Sequence, residues 1–172
     1  MQSNVQLRRL EAGDVDPIVA AFDALGWDKP RRQYERYLAE QAEGRRVVLV
    51  AVESGRILGY GTVVWESGYP PFREDGVPEI QDLNVFPEFR RGGVATLILE
   101  EAERLVGERS PVVGIGFGLY ADYGTAQRLY VRRGYVPDGR GVSYRGHPVL
   151  GGETVKVDDH LALYLRKQLA GE

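Results

Sequence analysis

The sequence predicts an α/β fold: a mixed sheet with helices on both faces. Three observations carry this. Val47–Val52 and Val112–Phe117 are apolar, largely β-branched runs of strand length, which read as buried strands. Segments with apolar residues at helical spacing lie between such runs, as at Val94, Leu97, Ile98, Ala102 and Leu105. The resulting order, β-α-α-β-β-β-α-β-α-β-β, runs from Val5 to Lys167 without repeat, low-complexity segment or linker, so residues 1–172 are expected to form a single domain.

Taken in order, Val5–Leu10 alternates as a first strand. Asp16 reads as the N-cap of a helix with Pro17 in its first turn, Ile18, Ala21, Phe22 and Leu25 as its apolar stripe, and Gly26 as its stop. After the loop Trp27-Asp28-Lys29-Pro30, a second helix places Tyr34, Tyr37, Leu38, Gln41 and Ala42 on one face and ends at Gly44. It reads as a half-buried amphipathic helix whose tyrosines, with Trp27, are candidates for a substrate mouth. Val47–Val52 and Ile57–Trp65 are hairpin partners around Glu53-Ser54-Gly55-Arg56. Gly59 and Gly61 in the second of these predict a bulge or a close backbone approach. Glu66–Pro78 reads as a polar, Pro/Gly-rich loop. Glu79–Val85 is the central strand, stopped at Pro87 and followed by the turn Arg90–Gly93 and a helix from Val94. After Val112–Phe117, Asp122 is a cap candidate for a helix carrying Ala126, Leu129, Tyr130 and Arg133 on one face and stopping at Gly134. Tyr135-Val136 begins another strand, Pro137–Gly152 reads as glycine-rich and irregular, and His160–Lys167 alternates as a last strand.

The chemistry concentrates around the central strand. A turn with two glycines entering a helix exposes backbone N–H groups at the positive end of the helix dipole, which makes an anion site. Arg90 and Arg91 beside it favour phosphate. Arg90-x-x-Gly93-x-Ala95 after an apolar strand resembles the pyrophosphate loop of the GNAT N-acetyltransferase superfamily, and Gly124–Tyr135, GTAQRLYVRRGY, is similar to that family's later Asn-x-x-Ala-x-x-Leu-Tyr-x-x-x-Gly-Phe segment. The two matches stand in the family's order and the element order fits over most of the chain.

The resemblance implies a GNAT-like acyl-CoA N-acyltransferase fold with a mostly antiparallel central sheet, and acetyl-CoA as cosubstrate. By position, Arg90, Arg91, Gly92, Gly93, Val94, Ala95 and Thr96 would hold its pyrophosphate. Backbone of Leu83, Asn84 and Val85 would lie along the pantetheine arm. Ala126 and Tyr123 would also face the cofactor, Tyr123 standing where the family often has asparagine. Tyr130 matches the family's general acid or thiolate stabiliser, against a structural reading as a core tyrosine; Tyr120 and Tyr123 are its substitutes. An ammonium has no lone pair, so it must lose a proton before attack, and a carboxylate can take that proton, directly or through water. Glu79 matches a glutamate base of some members, and Asp82 is the other candidate. Their odd separation sends them to opposite faces of a regular strand unless a bulge intervenes. The structural reading of either is a solvated or ion-paired strand residue.

Composition narrows the classes. A net charge of −3 argues against a nucleic-acid partner. The absence of cysteine removes a thiolate nucleophile and thiolate-bound metal, and two histidines give little basis for a metal site. No apolar run has spanning length and no signal peptide opens the chain, so no membrane association and a cytoplasmic location are expected. The expected activity is direct attack of a small-molecule or peptide amine on the thioester in a ternary complex, with no metal; a homodimer is left open. The alternative is a non-catalytic acyl-CoA-binding sensor or interaction domain on the same fold. A nucleotide-binding protein of another kind fits poorly, because the loop lacks both a Gly-Lys-Ser/Thr ending and dinucleotide glycine spacing.

Overall fold

A computed structural model describes residues 4–169. Its strands are β1 (Gln6–Arg9), β2 (Arg46–Glu53), β3 (Arg56–Val64), β4 (Glu79–Val85), β5 (Val112–Gly118), β6 (Val136–Tyr144), β7 (His147–Pro148) and β8 (Leu161–Gln168). The helices are α1 (Val15–Ala24), α2 (Arg31–Ala42), α3 (Pro70–Asp75), α4 (Val94–Gly107) and α5 (Gly124–Arg132). The strands hydrogen-bond in the order β1-β2-β3-β4-β5-β8-β6-β7. The β4–β5 pair is parallel, whereas β1–β2, β2–β3, β5–β8, β6–β8 and β6–β7 are antiparallel. This is the mixed sheet that the sequence pattern predicts, and mostly antiparallel as the family resemblance implies.

The chain clusters into two compact units. One contains the chain up to Val64 together with Asp82–Arg104. Here Ser54 (φ 49°) and Gly55 (φ 76°) close the β2–β3 hairpin in the paired left-handed conformation that matches strand twist. Both readings of its glycines hold. The register passes from Val52↔Ile57 to Ala51↔Gly59, so Leu58 is bulged. A Cβ on Gly59 would collide with the Asn84 carbonyl oxygen and lie 2.9 Å from Val85 Cα, and one on Gly61 would lie 2.7 Å from Ile98 Cγ2. The two glycines therefore let β4 and α4 approach β3. The core gathers Leu10, Val15, Ile18 and Phe22 with Tyr34, Tyr37, Val48, Val50, Tyr60 and Phe86. The first helix begins two residues earlier than its Asp16 cap would place it, because Asp14 bonds back to the Glu11 N–H at 2.8 Å and pairs with Arg8.

The other unit contains Trp65–Gln81 and the chain from Leu105 onward. Two stretches expected to be irregular are ordered. Glu66–Pro78 contains α3, which has proline in its first turn and left-handed Gly76 (φ 66°) as its stop. Pro137–Gly152 contains most of β6 and all of β7. In β6 the register moves from Pro137↔Leu165 to Val142↔Leu163, so the segment 138–141 bulges outward, with Gly139 and Gly141 at φ 85° and 71°. Those glycines obscured the strand in the sequence. β5 runs fully paired with β8 from Val112↔Gln168 to Gly118↔Ala162. Under it, Tyr69 stacks on Tyr164 with centroids 3.7 Å apart, and Phe72 closes the cluster over Gly114, where a Cβ would collide with its ring.

The stripe read along α4 needs one correction. Val94, Ile98, Ala102 and Leu105 of that stripe are buried, joined by Leu99 and Val106, while Leu97 is exposed. The face that packs is widened toward Leu99 and Val106 and loses Leu97 at its other edge.

Candidate active site

In the first unit, a short 3-10 turn over Pro87–Phe89 leads from β4 to the glycine turn. Arg91 (φ 67°) and Gly93 (φ 79°) are both left-handed. Gly93 accepts the first bond of α4 from the Leu97 N–H at 3.0 Å. The N–H groups of Val94, Ala95 and Thr96 therefore have no acceptor within the helix. The first turn contains no acidic residue to compensate the positive end of the 14-residue helix. Arg91, Gly92 and Gly93 are exposed, Val94 is buried, and Ala95 and Thr96 are half-buried. This donor set fits the diphosphate of a nucleotide cosubstrate. Arg90 contributes differently from its position in the motif: its Nε donates to the Val85 carbonyl at 3.0 Å, and its guanidinium lies 5.7 Å from the Trp27 ring. Leu83 packs beneath Gly61, and the Asn84 carbonyl faces Gly59.

Asp82 has φ 51° within β4. That left-handed residue breaks the two-residue alternation, the exception on which the opposite-face expectation for Glu79 and Asp82 depended. Its carboxylate receives Lys29 Nζ at 2.6 Å, Gln33 Nε2 at 2.8 Å, Tyr37 OH at 3.0 Å, Tyr60 OH at 2.7 Å and Asn84 Nδ2 at 2.8 Å. Burial alone would raise its pKa, but the Lys29 charge and the hydrogen bonds from Lys29, Tyr60 and Asn84 outweigh that and hold it below the usual carboxylate range. Burial, reinforced by the Asp82 charge, pushes the Tyr37 and Tyr60 phenols upward, so both remain donors at neutral pH. Behind Tyr37, the Arg46 guanidinium lies 4.4 Å from the ring.

In the second unit, Glu79 is buried at the start of β4, opposite Gly114 of β5. Its Oε2 accepts the Ser67 hydroxyl and, at 3.0 Å, Gln81 Nε2; Ser67 Oγ in turn accepts the Tyr69 N–H at 3.0 Å. Tyr130 lies buried on α5, tilted against Phe117 and Tyr135 with centroids 6.3 and 6.1 Å away. Ala126 is half-buried one turn earlier. Tyr123 precedes α5, its ring against Gly118 and its hydroxyl donating to Asp159 at 2.8 Å; Tyr120 donates to the same carboxylate oxygen. Burial leads the upward shift of the Tyr123 phenol, and the bond to Asp159 adds to it. Among the described residues no group of three or more His, Cys, Asp or Glu stands together as metal ligands, and no helix is long and apolar enough to cross a membrane.

Sequence reasoning missed the donors around Asp82 and the Ser67–Glu79 contact. Tyr34 and Tyr37, candidates for a substrate mouth by sequence, are both buried; Tyr37 donates to Asp82 and Tyr34 pairs with Tyr60. Nothing local signals the Ser67–Glu79 contact, because Ser67 is separated from Glu79 by an intervening helix.

A family model described as acetyltransferase (GNAT) family matches residues 16–135. No curated protein matches. Among solved structures, a ribosomal-protein-alanine N-acetyltransferase from Brucella melitensis is 19% identical with a TM-score of 0.69, over 95% of this chain and 99% of that one. The Salmonella typhimurium protein yncA, solved with its cofactor acetyl-CoA, is 17% identical with a TM-score of 0.68, over 98% and 95%. A spermidine N-acetyltransferase SpeG chimera from Vibrio cholerae and hSSAT is 15% identical with a TM-score of 0.68, over 96% of each chain. At these identities the likeness is one of fold.

Proposed function

We propose that this chain, which belongs to the GNAT acetyltransferase family, is a single catalytic domain that moves an acetyl group from acetyl-CoA to a primary amine in a ternary complex. The observation that carries the reading is the turn at Arg91–Gly93, where two left-handed residues open a long helix with no acid in its first turn. Acetyl-CoA bound there supplies an acetyl group activated as a thioester.

The chain's own groups do the rest. The N–H groups of Arg91–Thr96 hold the diphosphate. Arg90 braces the end of β4 through Val85, and the backbone of Leu83–Val85 offers strand-type hydrogen bonds to the pantetheine arm. Glu79 takes the proton of the acceptor ammonium, directly or through water, so that the nitrogen lone pair can attack. Asp82 suits that role less, since five side-chain donors and a depressed pKa make it a weaker base. The Tyr130 hydroxyl holds the proton that neutralises the departing sulfur. A covalent acyl-enzyme is unnecessary, and the chain has no cysteine to form one.

The acceptor is a small-molecule or peptide amine, and the test is a panel of such amines with acetyl-CoA, read by free-thiol release and by the mass of the product. The expected result is amine-dependent thiol release with an acetylated amine. Acetyl-CoA binding without turnover on any amine would instead support the sensor reading, and absence of binding would sink both.

A further inference from the structure

The two oxygens of Asp82 are used differently. Oδ2 takes three neutral donors, Gln33 Nε2, Tyr37 OH and Tyr60 OH, at 2.8, 3.0 and 2.7 Å. All three stand on regular elements, α2 and β3, so they fix the carboxylate. Oδ1 takes Asn84 Nδ2 at 2.8 Å and the Lys29 ammonium at 2.6 Å. Lys29 stands outside regular structure, in the connection between α1 and α2, and its side chain keeps 23% exposure. Its ammonium lies 5.8 Å from the Phe22 ring, on which Trp27 stacks with centroids 5.7 Å apart; Trp27 is itself 38% exposed. The arrangement is a fixed anion beside an aromatic wall, with a cation that reaches it on a flexible four-carbon stem from a loop.

We propose that Asp82, Asn84 and Phe22 form a seat for a primary alkylammonium, that Lys29 is its intramolecular occupant, and that one end of a dibasic acceptor displaces Lys29. The exchange conserves charge. One ammonium replaces another, Lys29 returns to water, and the nearly buried carboxylate is never left without a cation, which would be strongly unfavourable. Asp82, already engaged by Gln33, Tyr37, Tyr60 and Asn84, is a poor base, so an ammonium seated on it keeps its proton and cannot attack a carbonyl; the seated group is a docking cation. The amine that accepts the acetyl group is then a second one on the same molecule, which narrows the acceptor class to diamines and other dibasic amines. The inference rests on the proposed function only in taking the displacing ligand to be the acceptor.

The binding half of the proposal is tested without catalysis. n-Butylammonium chloride is titrated calorimetrically into wild type, Lys29→Met and Lys29→Met/Asp82→Asn. The probe must compete with a tethered ammonium at high effective concentration in wild type. Lys29→Met is therefore expected to bind at least about tenfold more tightly than wild type, and the double variant to lose saturable binding. No saturable binding to folded Lys29→Met, or equal binding by the double variant, overturns the seat. If circular dichroism shows Lys29→Met unfolded, Lys29→Gln takes its place. Thiol release with acetyl-CoA is measured separately on wild type, so a failed seat and a failed acetyltransferase reading give different results. With turnover in hand, 1,4-diaminobutane is expected to show a lower KM than n-butylamine, and Asp82→Asn to erase that preference; equal KM values in wild type overturn the dibasic assignment.

Discussion

Glu79 and Tyr130 are each described by what surrounds them, and each sets its own test. Glu79→Gln keeps the shape that Ser67 and Gln81 hold and removes the base. Turnover on an identified acceptor is expected to fall by about 10²–10⁴-fold, with the rise of rate with pH flattened. An unchanged pH–rate profile would return Glu79 to a structural role. Tyr130→Phe removes one hydroxyl from a ring packed on Phe117 and Tyr135. Turnover is expected to drop by roughly 10²–10³-fold, the scale of losing one transition-state donor, with CoA affinity and melting temperature near wild type. Full activity would make it a core residue. At this scale the sequence was legible by residue type and position: two carboxylates on one strand, one tyrosine on one helix. The environments were not. Period-two reasoning assumes extended backbone at every position, and the left-handed φ at Asp82 lies outside that assumption. The donors that distinguish the two carboxylates come from Lys29, Gln33, Tyr37 and Tyr60 in one case and from Ser67 in the other, contacts that no local pattern encodes.

At the scale of elements, the turn into α4 makes the sharpest claim. Gly93 has φ 79°, a conformation costly for residues with a Cβ, and a hypothetical Cβ there meets nothing within 4 Å. Gly93→Glu therefore adds a carboxylate beside the helix N-terminus and some backbone strain, but no core clash. CoA affinity is expected to fall at least about tenfold in a protein that still folds; calorimetry giving wild-type affinity would remove the loop from the cofactor site. Elements with strong punctuation were read nearly to the residue. Gly26, Gly44 and Gly134 each take the left-handed stop that a helix end favours. Where glycine served another purpose the reading failed: Gly139 and Gly141 shape a bulge within β6, and Gly76 ends the six-residue α3, too short to show a period.

For the molecule as a whole, the ionisation of Asp82 links stability to pH. Its folded pKa lies below the unfolded value of about 3.9, as Lys29 and the hydrogen bonds outweigh burial. The stabilisation is therefore present above about pH 4 and disappears as pH falls through the lower folded value. Urea unfolding of wild type and Asp82→Asn from pH 7 to 3 is expected to show a difference in stability that is level near neutrality and shrinks on acidification; a difference that grows in acid would contradict this. Asp14, held by Arg8, acts in the same sense in both proteins and cancels. The same carboxylate bears on the order of events in folding. Its bonds to Lys29, Gln33 and Tyr37 join positions 53, 49 and 45 residues apart. Closing so long a segment costs chain entropy before any of these contacts forms. Their formation is thus expected after the rate-limiting barrier, which makes the cluster a brake on unfolding. In stopped-flow measurements Asp82→Asn should unfold faster while refolding at close to the wild-type rate; a slowed refolding limb would place the cluster in the folding nucleus instead.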